Sequence, residues 1–258
     1  MAKFKTSALF LFALALFIAL APLQPQWFFG VPFSFSRNDL WRIIHHGCAP
    51  SARFGLSFPC AAVVQTSGDE AGYAVLPVGS GHVLTIPTRR IVGVESPELL
   101  TSPQPNYWQA AWDARTRLDR DLGRPLDRSD VALALNSALG RSQDQFHIHT
   151  ACVRAEVKAA LARESPTLGA QWMRMGTILN ARRYAIRWVS GTELGTLNIL
   201  AMLPVEQRAS PEQMARQLVL VIGGWDRNGA PGFFVLNDQV SAGDIGYAEN
   251  LMDFGCKR

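Results

Sequence analysis

The chain has 258 residues, 48% of them hydrophobic, enough to bury one sizeable core. Its formal charge of +4 falls to +2 once Lys3 and Lys5 are set aside, leaving 23 basic against 21 acidic residues, a balance with no electrostatic footprint for nucleic acid. No repeat array, low-complexity tract, Walker motif or dinucleotide fingerprint is present.

Residues 6 to 36 carry no charged side chain, and the run from 8 to 23 is nearly all Leu, Phe, Ala and Ile behind Lys3 and Lys5. This is the pattern of an export signal or a membrane anchor with its N-terminus inside. Ala19-Leu20-Ala21 has the small-x-small form of a cleavage site, but Pro22 follows, with a fixed φ and no N–H. An uncleaved anchor is therefore favoured, with Trp27, Phe28, Phe29, Phe33 and Phe35 as an interfacial aromatic belt; packing of these rings on the domain is the alternative. The chain then divides into a signal or anchor with its juxtamembrane segment, 1–36, and one domain, 37–258. Cys48, Cys60, Cys152 and Cys256 fit an oxidising, exported compartment, where an even number usually means disulfides. Three connectivities are possible. The preferred one joins Cys48 to Cys60, closing a short loop with Pro50 and Pro59, and Cys152 to Cys256, tying the C-terminal tail to the middle of the chain.

Arg37-Asn38-Asp39 can start a helix with Leu40, Trp41, Ile43 and Ile44 at helical spacing. His45, His46 and Cys48 invite a metal, but adjacent histidines at a helix end are more often solvated or packed. Residues 60–65 and 73–77 read as strands around a turn at 67–70, and a second turn at 79–81 precedes a strand from 82 to 87 ended by Pro87. A helix follows over 106–122, with Trp108, Ala111, Trp112, Leu118 and Leu122 as its core stripe and Gly123 and Pro125 as stop signals. A strand over 130–136 runs through a turn at 137–142 into the segment Gln145-Phe146-His147-Ile148-His149-Thr150. In a strand this alternation sends Gln145, His147 and His149 to one face and Phe146 and Ile148 to the other, the core face.

Beyond this point the pattern reads as a helix over 155–163. Arg174, Arg182, Arg183 and Arg187 then interleave with Trp172, Tyr184 and Trp188, a stripe suited to anionic lipid or to a solvated face. A short helix over 211–216 leads to a β-hairpin, 218–222 and 233–236, turning through Gly223, Gly224 and Gly232.

Chemistry concentrates between 136 and 150. A neutral imidazole on a rigid strand can attack phosphorus, shuttle a proton or bind a metal. The stretch Gly140-Arg141-Ser142-Gln143-Asp144-Gln145-Phe146-His147-Ile148-His149 resembles the histidine-triad signature, a Gly-Gln-Ser-type turn followed by alternating histidines. Within that superfamily the chain is similar to the bacterial CDP-diacylglycerol pyrophosphatases. The likeness extends through Leu40-Trp41-Arg42-Ile43-Ile44-His45, Pro59-Cys60-Ala61, 93–99 with Ser96-Pro97, 136–141 and Cys152-Val153-Arg154, covering residues 38 to 190 well. His82-Val83-Leu84-Thr85-Ile86-Pro87, followed by Arg89-Arg90-Ile91, matches the earlier strand, where the superfamily often has a further active-site histidine.

The resemblance implies an α+β fold, a mainly antiparallel sheet with packed helices. It also implies hydrolysis of membrane-embedded CDP-diacylglycerol to CMP and phosphatidate at a bacterial inner membrane, the domain on the periplasmic side, without a cofactor. By position in the motif His147 is the nucleophile, His149 a donor or proton carrier, and Gln145 stands where a third histidine is expected; a glutamine can orient a neighbour but cannot titrate near neutrality. Asn136, Arg141, Ser142 and His82 are the expected substrate-binding residues, the turn amides and Ser142 holding phosphate. Two alternatives stand beside this reading. One is an exported nucleotidyl hydrolase acting on a soluble dinucleotide or nucleotide-sugar; the other is a non-enzymatic module with Zn²⁺ among His82, His147 and His149.

Overall fold

The computed structural model describes residues 36–65, 72–101 and 105–257. The anchor and aromatic belt expected before Ser36 and the turn at 67–70 lie outside the described residues. Among the described residues no helix is long and apolar enough to cross a membrane.

The domain is α+β and built on one large sheet whose strands pair antiparallel. Its order is β1 (Ala62–Gln65), β2 (Gly72–Gly79), β3 (His82–Pro87), β5 (Ile148–Val153), β4 (Val131–Leu135), β8 (Gln217–Trp225), β9 (Pro231–Gln239), β7 (Ala185–Ser190) and β6 (Met173–Arg174), with β10 (Met252–Asp253) on β5. Period-two alternation sorts the central strands between two cores. Leu133, Leu135, Phe146, Ile148, Val219, Val221, Phe233 and Val235 form one with Tyr107, Trp108 and Trp112. Ala132, Ala134, Ala151, Val153, Leu220 and Phe234 form the other with Val157, Ala160 and Leu161 of helix α5 (Ala155–Glu164) and Leu251 of the C-terminal arm.

The expected helix over 106–122 is two helices, α3 (Tyr107–Asp113) and α4 (Arg115–Leu122), meeting at Ala114. The cause is in the packing. Trp108 and Trp112 belong to the main core, whereas Ala114 and Leu118 pack on Val75 and Val83 of β2 and β3, so the two segments serve different clusters. The hairpin strands are longer than expected, and Gly223, Gly224 and Gly232 lie inside them; the turn is at Asp226–Ala230. A Cβ on Gly224 would sit 2.3 Å from the Phe234 ring and one on Gly232 2.2 Å from Trp188, so these glycines admit close aromatic packing. The arginine stripe holds only in part, with Arg174 and Arg183 exposed as on a solvated face. Arg182 is buried and paired with Asp238 (2.5 Å) and Asp244 (2.6 Å), and Tyr184 and Trp188 are core residues.

At the N-terminal side, α1 (Asp39–Arg42) runs through a π-helical turn (Ile43–Cys48) into α2 (Ala49–Ala52). Leu40, Ile44 and Cys48, four residues apart, bury against Ala74, Leu76, Leu84 and Ile86 on β2 and β3. Both preferred disulfides are present, Cys48–Cys60 and Cys152–Cys256.

Candidate active site

The histidine segment is a regular strand only from Ile148 onward, because its partners run out: Thr85 of β3 pairs Ile148, and Ala134 of β4 pairs His149. The lead-in is held instead by Phe146 N–H to Ile91 O (2.6 Å) and by the Gln145 amide, which donates to Pro87 O (3.1 Å) and Arg89 O (2.9 Å). Phe146 and Ile148 fill the core as the alternation predicts, and His147 and His149 occupy the opposite face with ring centroids 4.9 Å apart. That face is covered by the α1–α2 segment on one side and by α5 and the C-terminal arm on the other, leaving the histidines between two apolar clusters.

His147 Nδ1 lies 2.6 Å from the backbone carbonyl of Gln145. A carbonyl only accepts, so Nδ1 carries the hydrogen and Nε2 keeps a lone pair. His149 Nδ1 is 3.0 Å from His82 Nε2, and His149 Nε2 is 3.1 Å from Glu249 Oε2. The Glu249 contact lacks hydrogen-bond geometry, so among the described residues His149 Nε2 has no hydrogen-bond partner and the His82–His149 bond alone holds the His149 ring. His82 is further stacked on Phe254, 4.1 Å between centroids. The direct nitrogen-to-nitrogen contact between His82 and His149 aims their ring atoms at each other and not at a shared ion. Among the described residues no group of three or more His, Cys, Asp or Glu is arranged to hold a metal.

Burial disfavours the charged forms of all three imidazoles. Desolvation lowers the pKa of His147, and Arg141 lowers it further, against the Gln145 carbonyl, which raises it. Desolvation, then the neighbouring histidines, push His149 well below 6.5, and burial brings His82 to about 4. The cluster is neutral at neutral pH. Glu249 moves the other way, raised by burial against a hydrogen bond from Asn136.

The structure brings together some expected residues and redeploys others. Asn136, Arg141, Gln145 and His147 line a common small cavity with Gly93. Asn136 accepts from Ala248 N–H (2.8 Å), anchoring the turn Ala248–Leu251 that carries Glu249. The Arg141 side chain is nearly buried and bonded to Glu95 (2.6 Å) and Asp144 (3.0 Å); Asp144 also takes Arg37 (2.8 Å), and these guanidinium partners hold its pKa at about 2. The Gly140 and Arg141 amides donate to Ser137 O within their own turn. Ser142 is exposed and does not line that cavity. Gln145 orients His147 through its main-chain carbonyl, not its side chain.

Glu249 escaped sequence reading because it lies about a hundred residues from His149 and in no motif. Three features bring it there: β10 pairs with Cys152 and Val153, Arg154 donates to Met252 O (3.1 Å), and Cys256 is bonded to Cys152. The pairing of Cys256 with the end of the histidine strand was the one signal that the tail returns to the site.

These features define a buried, neutral histidine cluster with one imidazole lone pair preset by the backbone, the equipment of a nucleophilic or general-base hydrolase site. Residues 35–258 match the CDP-diacylglycerol pyrophosphatase family, and the chain belongs to it. The CDP-diacylglycerol pyrophosphatase of Yersinia pestis is 37% identical over 231 residues, covering 86% of each chain.

Proposed function

We propose that this domain hydrolyses the pyrophosphate of CDP-diacylglycerol to CMP and phosphatidate through a cytidylyl-histidine at His147, in the manner of the histidine-triad enzymes it resembles. The activity follows from the family; the nucleophile rests on the 2.6 Å bond that holds His147 as the Nδ1–H tautomer, leaving Nε2 as the attacking lone pair. In the first step Nε2 bonds to the cytidylyl phosphorus and the bridging P–O bond breaks, its electron pair leaving on phosphatidate. A phosphate monoester has a second pKa near about 6, so this leaving group needs little protonation. In the second step water attacks the phosphorus, the P–N bond breaks with its electron pair returning to His147 Nε2, and the water's proton passes to His149 Nε2, which has no hydrogen-bond partner among the described residues of the resting site; the imidazolium so formed faces Glu249 at 3.1 Å. Asn136 positions Glu249, and Arg141 with Glu95 and Asp144 holds the turn ahead of the histidines. His82 and Ser142 are the phosphate contacts in this reading by their place in the motif alone. The uncharged residues 6 to 36 anchor the chain in a bacterial inner membrane with the domain on the oxidising, periplasmic side, where both disulfides persist and a lipid substrate shares the same plane.

The test is a quenched reaction with CDP-diacylglycerol labelled in the cytidylyl phosphate, followed by mass analysis of the His147 peptide. A labelled adduct and CMP are expected, both lost in His147→Ala with the fold retained. CMP without adduct would reject the covalent route; turnover of soluble dinucleotides but not of the lipid would move the substrate.

A further inference from the structure

Outside the histidine site, the most unusual surface is the loop closed by Cys48–Cys60. Phe54 is 81% exposed, Leu56 64% and Phe58 81%, three alternate residues presenting large apolar side chains to solvent. Among the described residues nothing packs on them, although the same segment buries Leu40, Ile44 and Cys48 efficiently on its inner side. The outer side of that helical segment carries Arg42, Ile43, His45 and His46, all exposed, and Arg53 follows at its end. Between residues 36 and 65 there are three arginines and two histidines against one acidic residue, Asp39, itself paired with Arg42. Basic residues around exposed aromatics are the composition of a surface that lies in a bilayer interface.

Chain continuity says which surface covers it. Ser36 directly follows thirty uncharged residues, and the helical segment from Asp39 to Ala52 spans about 20 Å at about 1.5 Å per residue before reaching the loop. We propose that the Cys48–Cys60 loop inserts Phe54, Leu56 and Phe58 into the phospholipid bilayer, so that the domain meets the membrane at two points with the α1–α2 segment lying along the surface between them. A cavity of about 870 Å³ opens beside this segment, lined by Trp41, His45, Arg53, Arg89, Arg90 and Glu98. Its arginines place positive charge beside the docked face, where an anionic lipid headgroup would lie. The inference rests on the lipid substrate proposed above.

The experiment uses the full chain in vesicles of phosphatidylethanolamine and phosphatidylglycerol. Phe58→Trp adds one indole, and its extra emission over the unsubstituted protein is expected to fall at least about twofold when the lipid is brominated high in the acyl chain. Extra emission that is indifferent to brominated lipid overturns insertion. Because this readout involves no catalysis, quenching without hydrolysis would sink the substrate reading and leave the docking intact. Phe54→Ser/Leu56→Ser/Phe58→Ser is expected to lose roughly tenfold or more of its turnover on vesicle substrate while keeping turnover on monomeric dihexanoyl CDP-diacylglycerol. Equal turnover on vesicles, or an equal loss on both substrates, counts against it.

Discussion

Replacing Glu249 by Gln tests the part of the site that no motif marks. The change keeps the shape of the side chain and leaves the His82–His149 hydrogen bond untouched. It removes the negative charge 3.1 Å from His149 Nε2, and with it the stabilisation of the imidazolium formed when water attacks the intermediate. A unit pair at about 4 Å interacts by about 4 kcal/mol at an effective dielectric of about 20. The Glu249 side chain is 29% exposed. Solvent screening therefore reduces the figure to about 2 kcal/mol, near thirtyfold in rate. The assay is pre-steady-state hydrolysis of monomeric dihexanoyl CDP-diacylglycerol, with adduct formation and CMP release followed separately. The expected result is a slowed second phase, adduct accumulating in Glu249→Gln while the first phase changes little. A variant within twofold of the parent in both phases would refute the relay, and a loss confined to adduct formation would reassign Glu249 to the first step.

Gln145→Ala leaves the carbonyl that orients His147 but removes two buried hydrogen bonds to Pro87 and Arg89, so urea unfolding should show a loss of about 2 kcal/mol while kcat/KM falls less than about tenfold. Loss of activity comparable to His147→Ala would mean that the side chain acts in the chemistry. Since His82, His147 and His149 have folded pKa values below 6.5, the unfolded chain takes up protons that the native state refuses as pH falls from 6.5 toward about 4. Stability should decline across that window, and less steeply in His82→Asn; an unchanged slope in that variant would contradict the burial of a neutral His82. The same shifts keep His147 unprotonated below pH 6.5, so the acid limb of kcat/KM should lie under that value. Cys152–Cys256 closes a separation of 104 residues and Cys48–Cys60 one of 12, for which chain entropy alone predicts losses of about 4.8 and about 2.9 kcal/mol when each pair is replaced by serine. Removing the longer bridge should also depress the second chemical phase, because it frees the arm that carries Glu249; full second-phase activity in a folded Cys152→Ser/Cys256→Ser protein would show that β10 positions the arm unaided.

What the chain determined by itself is whatever depends on neighbours in sequence. Period-two alternation at Phe146 and Ile148 placed His147 and His149 on the opposite face, helical spacing marked Leu40, Ile44 and Trp108 as core, and turn residues delimited the strands before the histidines. The resemblance that pointed to the substrate rested on contiguous stretches such as 40–45, 93–99 and 140–149. Features set by distant partners were not legible. The break at Ala114, the burial of Gly224 and Gly232 inside a hairpin, and the pairing of Arg182 with Asp238 and Asp244 depend on which surfaces the sheet presents. Asn136 and Arg141 bear side chains suited to phosphate, yet tertiary packing directs one to Ala248 and the other to Glu95 and Asp144. Glu249 is the extreme case: one carboxylate among many, it becomes part of the site because a disulfide and a two-residue strand fold the C-terminal arm back onto β5. Local periodicity fixes which face a side chain takes, but only the closed chain decides what it meets there.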